Sequence, residues 1–158
     1  MSSQDDISLR ERVRGMGDVC YALQARKTAN LMARVYNQAV ADLGLEISQL
    51  TTLWMIAAES AETIAAMAEI LGVERSTLVR SLALLQRDKL IARDKSGGRR
   101  AVYRLTPRGR ALVEQSLPRW ERIQSAIARV LGPPEAPDPR VGMRNLRRAA
   151  LTAAASAS

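Results

Sequence analysis

The chain has 158 residues, 47% of them apolar, with one cysteine, no histidine and no phenylalanine. That size fits one domain with helical extensions, the apolar share excludes a disordered chain, and the absence of histidine removes His-based acid–base catalysis and His metal ligands. Twenty-four Lys/Arg against sixteen Asp/Glu leave a formal charge of +8, which asks for a polyanionic partner.

Residues 1–7 read as a flexible N-terminus without the apolar stretch of a signal peptide. Residues 8–42 read as one long helix. Val19, Leu23, Met32, Val35, Tyr36, Ala39, Val40 and Leu43 recur at three- and four-residue steps, and Gly44 suits the stop. Gly15-Met16-Gly17 is half of a dinucleotide-binding motif and follows no strand. With no Cys pair, P-loop or GxSxG either, neither an enzyme nor a cofactor or metal site is expected. A second helix spans Ile47 to Glu59, with Ser48 as its N-cap and Leu50, Leu53, Trp54 and Ile56 inward. Thr63 caps a third helix, Ile64 to Leu71, which Gly72 ends.

A fourth helix carries Ser76 and Thr77 in its first turn and runs to about Asp88. Leu78, Leu82 and Leu85 form its buried stripe, leaving Arg75, Ser76, Arg80, Ser81 and Arg87 largely outside it. Leu90 to Asp94 and Ala101 to Leu105 read as two strands joined by a turn at Ser96-Gly97-Gly98. Between Arg75 and Arg110 stand eleven Lys/Arg and only two acids, Asp88 and Asp94. Basic charge gathered on a helix and a hairpin is suited to duplex DNA.

Thr106-Pro107 opens a fifth helix as N-cap and first residue. Val113, Leu117, Trp120, Ile123, Ile127 and Val130 step close to a heptad, and Pro118 predicts a kink. The proline-rich run 132–139 is a break. A last helix covers about 140 to 152 with Met143, Leu146 and Ala150 inward, and 153–158 reads as a flexible tail. No apolar run approaches the roughly 18 residues of a membrane helix. The lone cysteine excludes an internal disulfide and fits a reducing cytoplasm. The fold class expected is mainly α with a small β-wing: a winged helix-turn-helix at 45–106 between dimerisation helices at 8–43 and 107–152. Apolar faces at both chain ends exceed what a small core covers, and that surplus is read as a homodimer interface.

Three stretches carry a resemblance: GLEISQLTTLWMIA at 44–57, TIAAMAEILGVERSTLVRSLALLQRDKLIAR at 63–93 and RRAVYRLTPRGRAL at 99–112. Together they resemble the MarR family of winged helix-turn-helix regulators over about residues 20 to 131. The resemblance implies a cytoplasmic homodimer on a pseudo-palindromic operator, weakened by a small ligand or an oxidant. The wing Asp94-Lys95-Ser96-Gly97-Gly98-Arg99-Arg100 departs from many relatives, being shorter and lacking a second acid.

On that frame the fourth helix enters a major groove with Arg75, Ser76, Thr77, Arg80 and Ser81. Lys95 takes phosphate. Of Arg99 and Arg100, which alternate to opposite faces, one enters the minor groove or holds phosphate and the other braces the hairpin. Ser48 and Gln49 bind phosphate at the start of the second helix. The competing reading of these positions is a solvated basic surface.

The resemblance also implies an effector pocket, with Tyr21, Arg26, Tyr36, Trp54 and Trp120 as lining candidates for an anionic or phenolic molecule. Ordinary packing competes for each. Cys20-Tyr21-Ala22-Leu23 looks like the peroxide-sensing branch, where a cysteine followed by an aromatic is oxidised. That branch places a tyrosine one turn on, where this chain has Gln24. The competing reading of Cys20 is a small residue buried at the dimer seam. A nonspecific winged-helix module that binds DNA or protein is the remaining alternative.

Overall fold

The computed structural model describes residues 9–11, 13–61, 63–94, 102–133 and 136–156. The chain divides into two compact units, residues 1–123 and 124–158.

In the first unit the N-terminal helix is interrupted rather than continuous. A single helical turn, Met16–Val19, ends at Cys20, whose extended backbone (φ −76°, ψ 108°) starts α1, Tyr21–Val40. Gly15 and Gly17 are poor helix formers, so the segment before Cys20 has little to hold it in line with α1. Val19, expected inward, is 76% exposed. A 3₁₀ turn, Ala41–Leu43, follows, and Gly44 takes the left-handed conformation (φ 68°) that lets the chain reverse.

Helix α2, Ile47–Ala57, already includes Ser48 as its second residue. Its N-cap is Glu46, not Ser48. The Glu46 N–H donates to Gln49 Oε1 at 2.9 Å, the return bond of a capping box. The helix stops at Ala57 rather than Glu59, which turns left-handed (φ 50°) while Ser60 N–H reaches back to the Met55 carbonyl. Helix α3, Ile64–Leu71, is capped by Thr63, whose hydroxyl accepts from Ala66 N–H at 3.1 Å.

Helix α4, Arg75–Arg87, buries Leu78, Leu82 and Leu85, the 3.6-residue stripe its sequence carries. They join Val40, Leu50, Leu53, Ile56, Leu90 and Ile91 in one aliphatic core. Each such leucine contributes about 1.5–3 kcal/mol on burial. Past α4, Lys89 is left-handed (φ 57°), and Leu90 N–H returns to the Leu85 carbonyl.

Strands β1, Ile91–Asp94, and β2, Val102–Leu105, pair antiparallel with Ile91 opposite Leu105 and Arg93 opposite Tyr103. Helix α5, Pro107–Leu131, then starts against the end of α4. The Thr106 hydroxyl accepts from Gly109 N–H at 3.1 Å and donates to the Lys89 carbonyl at 2.7 Å. Thr106 N–H donates to the Leu90 carbonyl at 3.0 Å. A Cβ on Gly109 would lie 2.0 Å from that same carbonyl oxygen, so only glycine fits. Helix α5 is unbroken through Pro118.

In the second unit, Gly132 (φ 105°) ends α5. Asp138 then caps α6, Pro139–Ser156, by accepting from Arg140 N–H at 2.9 Å. The Arg140 guanidinium also holds the Asp138 carboxyl below the usual range. Helix α6 runs four residues beyond 152 and buries none of its side chains within the chain. Met143, Leu146 and Ala150, expected inward, are exposed.

Candidate nucleic-acid interface

Helices α3 and α4 meet at the left-handed Gly72 as a helix-turn-helix, with β1 and β2 following as the base of a wing. The buried leucine stripe decides which side of α4 faces out. Arg75, Ser76, Thr77 and Arg80 are exposed, and Ser81 is half-buried at the edge of the stripe.

Thr77, Arg80 and Ser81 line one side of an open groove of about 770 Å³, with Leu84 below them. Across it stand Ser48 and Gln49 from α2, Gly44, Leu45 and Glu46 from the preceding turn, and Asn37 and Ala41 from α1. Five of the residues expected to touch DNA therefore share one concavity. Arg75 and Ser76 sit on the first turn of α4, outside it. Lys95, Arg99 and Arg100 lie outside the described residues.

The α2 side of the groove is held in place by its own hydrogen bonds. Asn37 Oδ1 accepts from Ile47 N–H at 2.7 Å and fixes the start of α2 against α1. Gln49 spends its side-chain oxygen on Glu46 N–H, which leaves its amide NH₂ as the donor. The Ser48 hydroxyl is 3.5 Å from Glu46 Oε2, a long contact, and the side chain is exposed. The N–H groups of a helix's first turn suit an anion, but Glu46 puts a carboxylate into the same groove and opposes one.

Sequence reasoning missed Asn37, Glu46 and Leu84. An asparagine inside a helical run is unfavourable for the helix and was the available signal for Asn37. Glu46, three residues before Gln49, has capping-box spacing. Leu84 carries no such mark.

The residues expected in an effector pocket divide. Trp54 and Trp120 pack edge to face, with ring centroids 6.3 Å apart and planes at 72°. Trp54 Nε1–H donates to Ser116 Oγ at 2.9 Å, and that hydroxyl donates to the Val113 carbonyl at 2.6 Å. Tyr36 is half-buried, which pushes its phenol pKa up. Tyr21 and Arg26 are exposed. No hydrogen bond or ring contact links Tyr21, Arg26 or Tyr36 to the tryptophan pair among the described residues. Cys20 is exposed within the single chain. No cluster of three metal-ligating side chains occurs among the described residues, and no helix among them is long and apolar enough to cross a membrane.

No protein-family model and no curated protein matches the chain. Solved structures do. The M. tuberculosis transcriptional regulator MosR is 31% identical, over 90% of this chain and 99% of that one, with a TM-score of 0.69. The same regulator in complex with DNA matches at 30% identity over 85% and 98%, with a TM-score of 0.73. The chain belongs to the MarR family.

The MarR fold is shared at lower identity by two further structures. The repressor CouR bound to p-coumaroyl-CoA is 20% identical over 90% of this chain and 94% of that one, at a TM-score of 0.66. An M. tuberculosis MarR family protein in complex with p-aminosalicylic acid is 21% identical over 82% and 98%, at 0.59. As a MarR-family member the chain is a DNA-binding transcriptional regulator, and the family is not enzymatic.

Proposed function

We propose that the protein is a cytoplasmic homodimeric repressor of a pseudo-palindromic operator, released by a small anionic or phenolic molecule. The observation that carries this reading is the single groove lined by Ser48, Gln49, Thr77, Arg80 and Ser81. In it α4 occupies the major groove, with Arg75, Ser76, Thr77, Arg80 and Ser81 on base edges or phosphates. Ser48 and the Gln49 amide hold phosphate from the α2 side. Lys95 takes phosphate, and Arg99 and Arg100 divide minor-groove contact from bracing the hairpin.

Residues 45–106 form the DNA-binding lobe, and 8–43 with 107–152 form the dimer contact. Exposed apolar side chains support that contact: Leu9, Val13, Met16 and Val19 near one end, and Val130, Met143, Leu146 and Leu151 near the other. A small-molecule effector is supported by the ligands of CouR and of the p-aminosalicylic acid complex. The Trp54–Trp120 pair is the aromatic surface offered to one. A second route to release is oxidation of the Cys20 thiol.

Footprinting on genomic fragments tests the reading. An inverted repeat with half-sites about one helical turn apart should be protected. Affinity should fall roughly 10³–10⁵-fold from 50 to 200 mM salt if six to ten phosphates are contacted. Arg80→Ala should relax base preference, whereas Lys95→Ala should weaken every sequence alike. Uniform coating of DNA, or an Arg80→Ala dimer with unaltered affinity and preference, overturns it.

A further inference from the structure

The outward face of α4 is not uniformly polar. Val79 is 45% exposed and Ala83 is exposed one helical turn further on, on the same face. Exposed Arg75, Ser76, Arg80 and Arg87 surround them. Neither the core nor the helix accounts for the valine. The buried stripe of α4 is Leu78, Leu82 and Leu85, and a β-branched residue on an exposed helix surface forms helix less readily than most.

A base-reading helix meets one apolar group on the base edges of the major groove, the C5-methyl of thymine. Cytosine in the same place offers no methyl, and its amino group would be desolvated against the valine without an acceptor. We infer that Val79, with Ala83 beside it, reads a thymine methyl in each half-site and so determines specificity, while the surrounding arginines take guanine or phosphate. This rests on the reading that α4 lies in the major groove.

The test uses the full-length protein and a duplex that the wild type selects from random DNA. The same duplex is then made with deoxyuridine for every thymidine in both half-sites, which removes the methyls and keeps the pairing. The wild type should bind the deoxyuridine duplex about 4-fold more weakly per methyl contact, roughly 15-fold for two half-sites. In Val79→Ala, with helix content checked by circular dichroism, the ratio between the duplexes should fall towards one. Equal binding of both duplexes by the wild type overturns the inference while leaving the placement of α4 intact. A full deoxyuridine penalty in Val79→Ala also overturns it, by assigning the methyl to another residue. If the wild type selects no sequence, the placement of α4 fails and the inference with it.

Discussion

The indole N–H of Trp54 and the hydroxyl of Ser116 meet at 2.9 Å across 62 residues of sequence, inside a half-buried aromatic cluster. Ser116 is fully buried and in turn donates to the Val113 carbonyl. Ser116→Ala leaves the indole donor unmatched and should cost about 1–3 kcal/mol. Urea unfolding followed by tryptophan fluorescence measures it. A midpoint equal to that of the wild type would show that the bond contributes nothing.

Gly109→Ala should be among the most damaging single changes in the first unit. The added methyl would sit 2.0 Å from the Leu90 carbonyl oxygen, which is backbone and already accepts from Thr106. The start of α5 must then shift, at a cost of about 2–4 kcal/mol, in the range of overpacked or strained sites. Thermal melts of the variant give the value, and an unshifted melting temperature contradicts the packing.

Lys89→Gly should do the opposite. Lys89 holds a left-handed backbone at φ 57°, where a Cβ is penalised and glycine is not. Its carbonyl, which accepts from Thr106, is kept in the variant. A gain of about 0.5–1 kcal/mol in unfolding free energy is expected. A loss would mean that the lysine side chain contributes to folding by some other contact.

Glu46→Gln should separate stability from DNA affinity. The carboxylate suits the positive end of α2, so its loss should lower stability by about 0.3–1 kcal/mol. The same carboxylate lines the groove with Arg80, Ser48 and Gln49, where it repels phosphate. DNA binding at low salt should therefore tighten. Anisotropy titrations at two salt concentrations decide it, and weaker binding by the variant would place DNA away from this groove.

Asp42 accepts from the Arg119 guanidinium, which holds its carboxyl below the usual carboxylate range. A lowered folded-state pKa adds stability above the unfolded value, about 3.9, and loses it as pH falls through the folded one. Asp42→Asn should therefore melt slightly below the wild type at neutral pH, and the gap should close in acid. The effect is small because the pair is largely solvated. A gap that persists unchanged at pH 2 removes the ion pair as its cause.

What the sequence made legible is what local rules govern. Leu78, Leu82 and Leu85 announce the buried side of α4 by spacing alone, and Thr63 and Thr106-Pro107 announce helix starts by side-chain chemistry. The groove residues on α4 follow, because whatever is not in the stripe faces out. On the opposite wall Ser48 and Gln49 were expected, but the contacts that hold that wall and the tryptophan pair were not. Asn37 reaches Ile47 over ten residues and Trp54 reaches Ser116 over sixty-two, and no periodicity encodes such pairs. The break at Cys20 was hidden by an apolar pattern that continues across it, since two glycines weaken a helix without erasing its period. Met143, Leu146 and Ala150 keep helical spacing, yet none of them is buried among the described residues.

One residue, Leu90, joins four elements. Its N–H returns to the Leu85 carbonyl at the end of α4, the residue leads into β1, and its oxygen accepts from Thr106 N–H past the end of β2 and lies against the first turn of α5. An element that moves at that point disturbs the bonds that hold the others. A displacement of the first turn of α5 would reach the end of α4 and the start of β1 together.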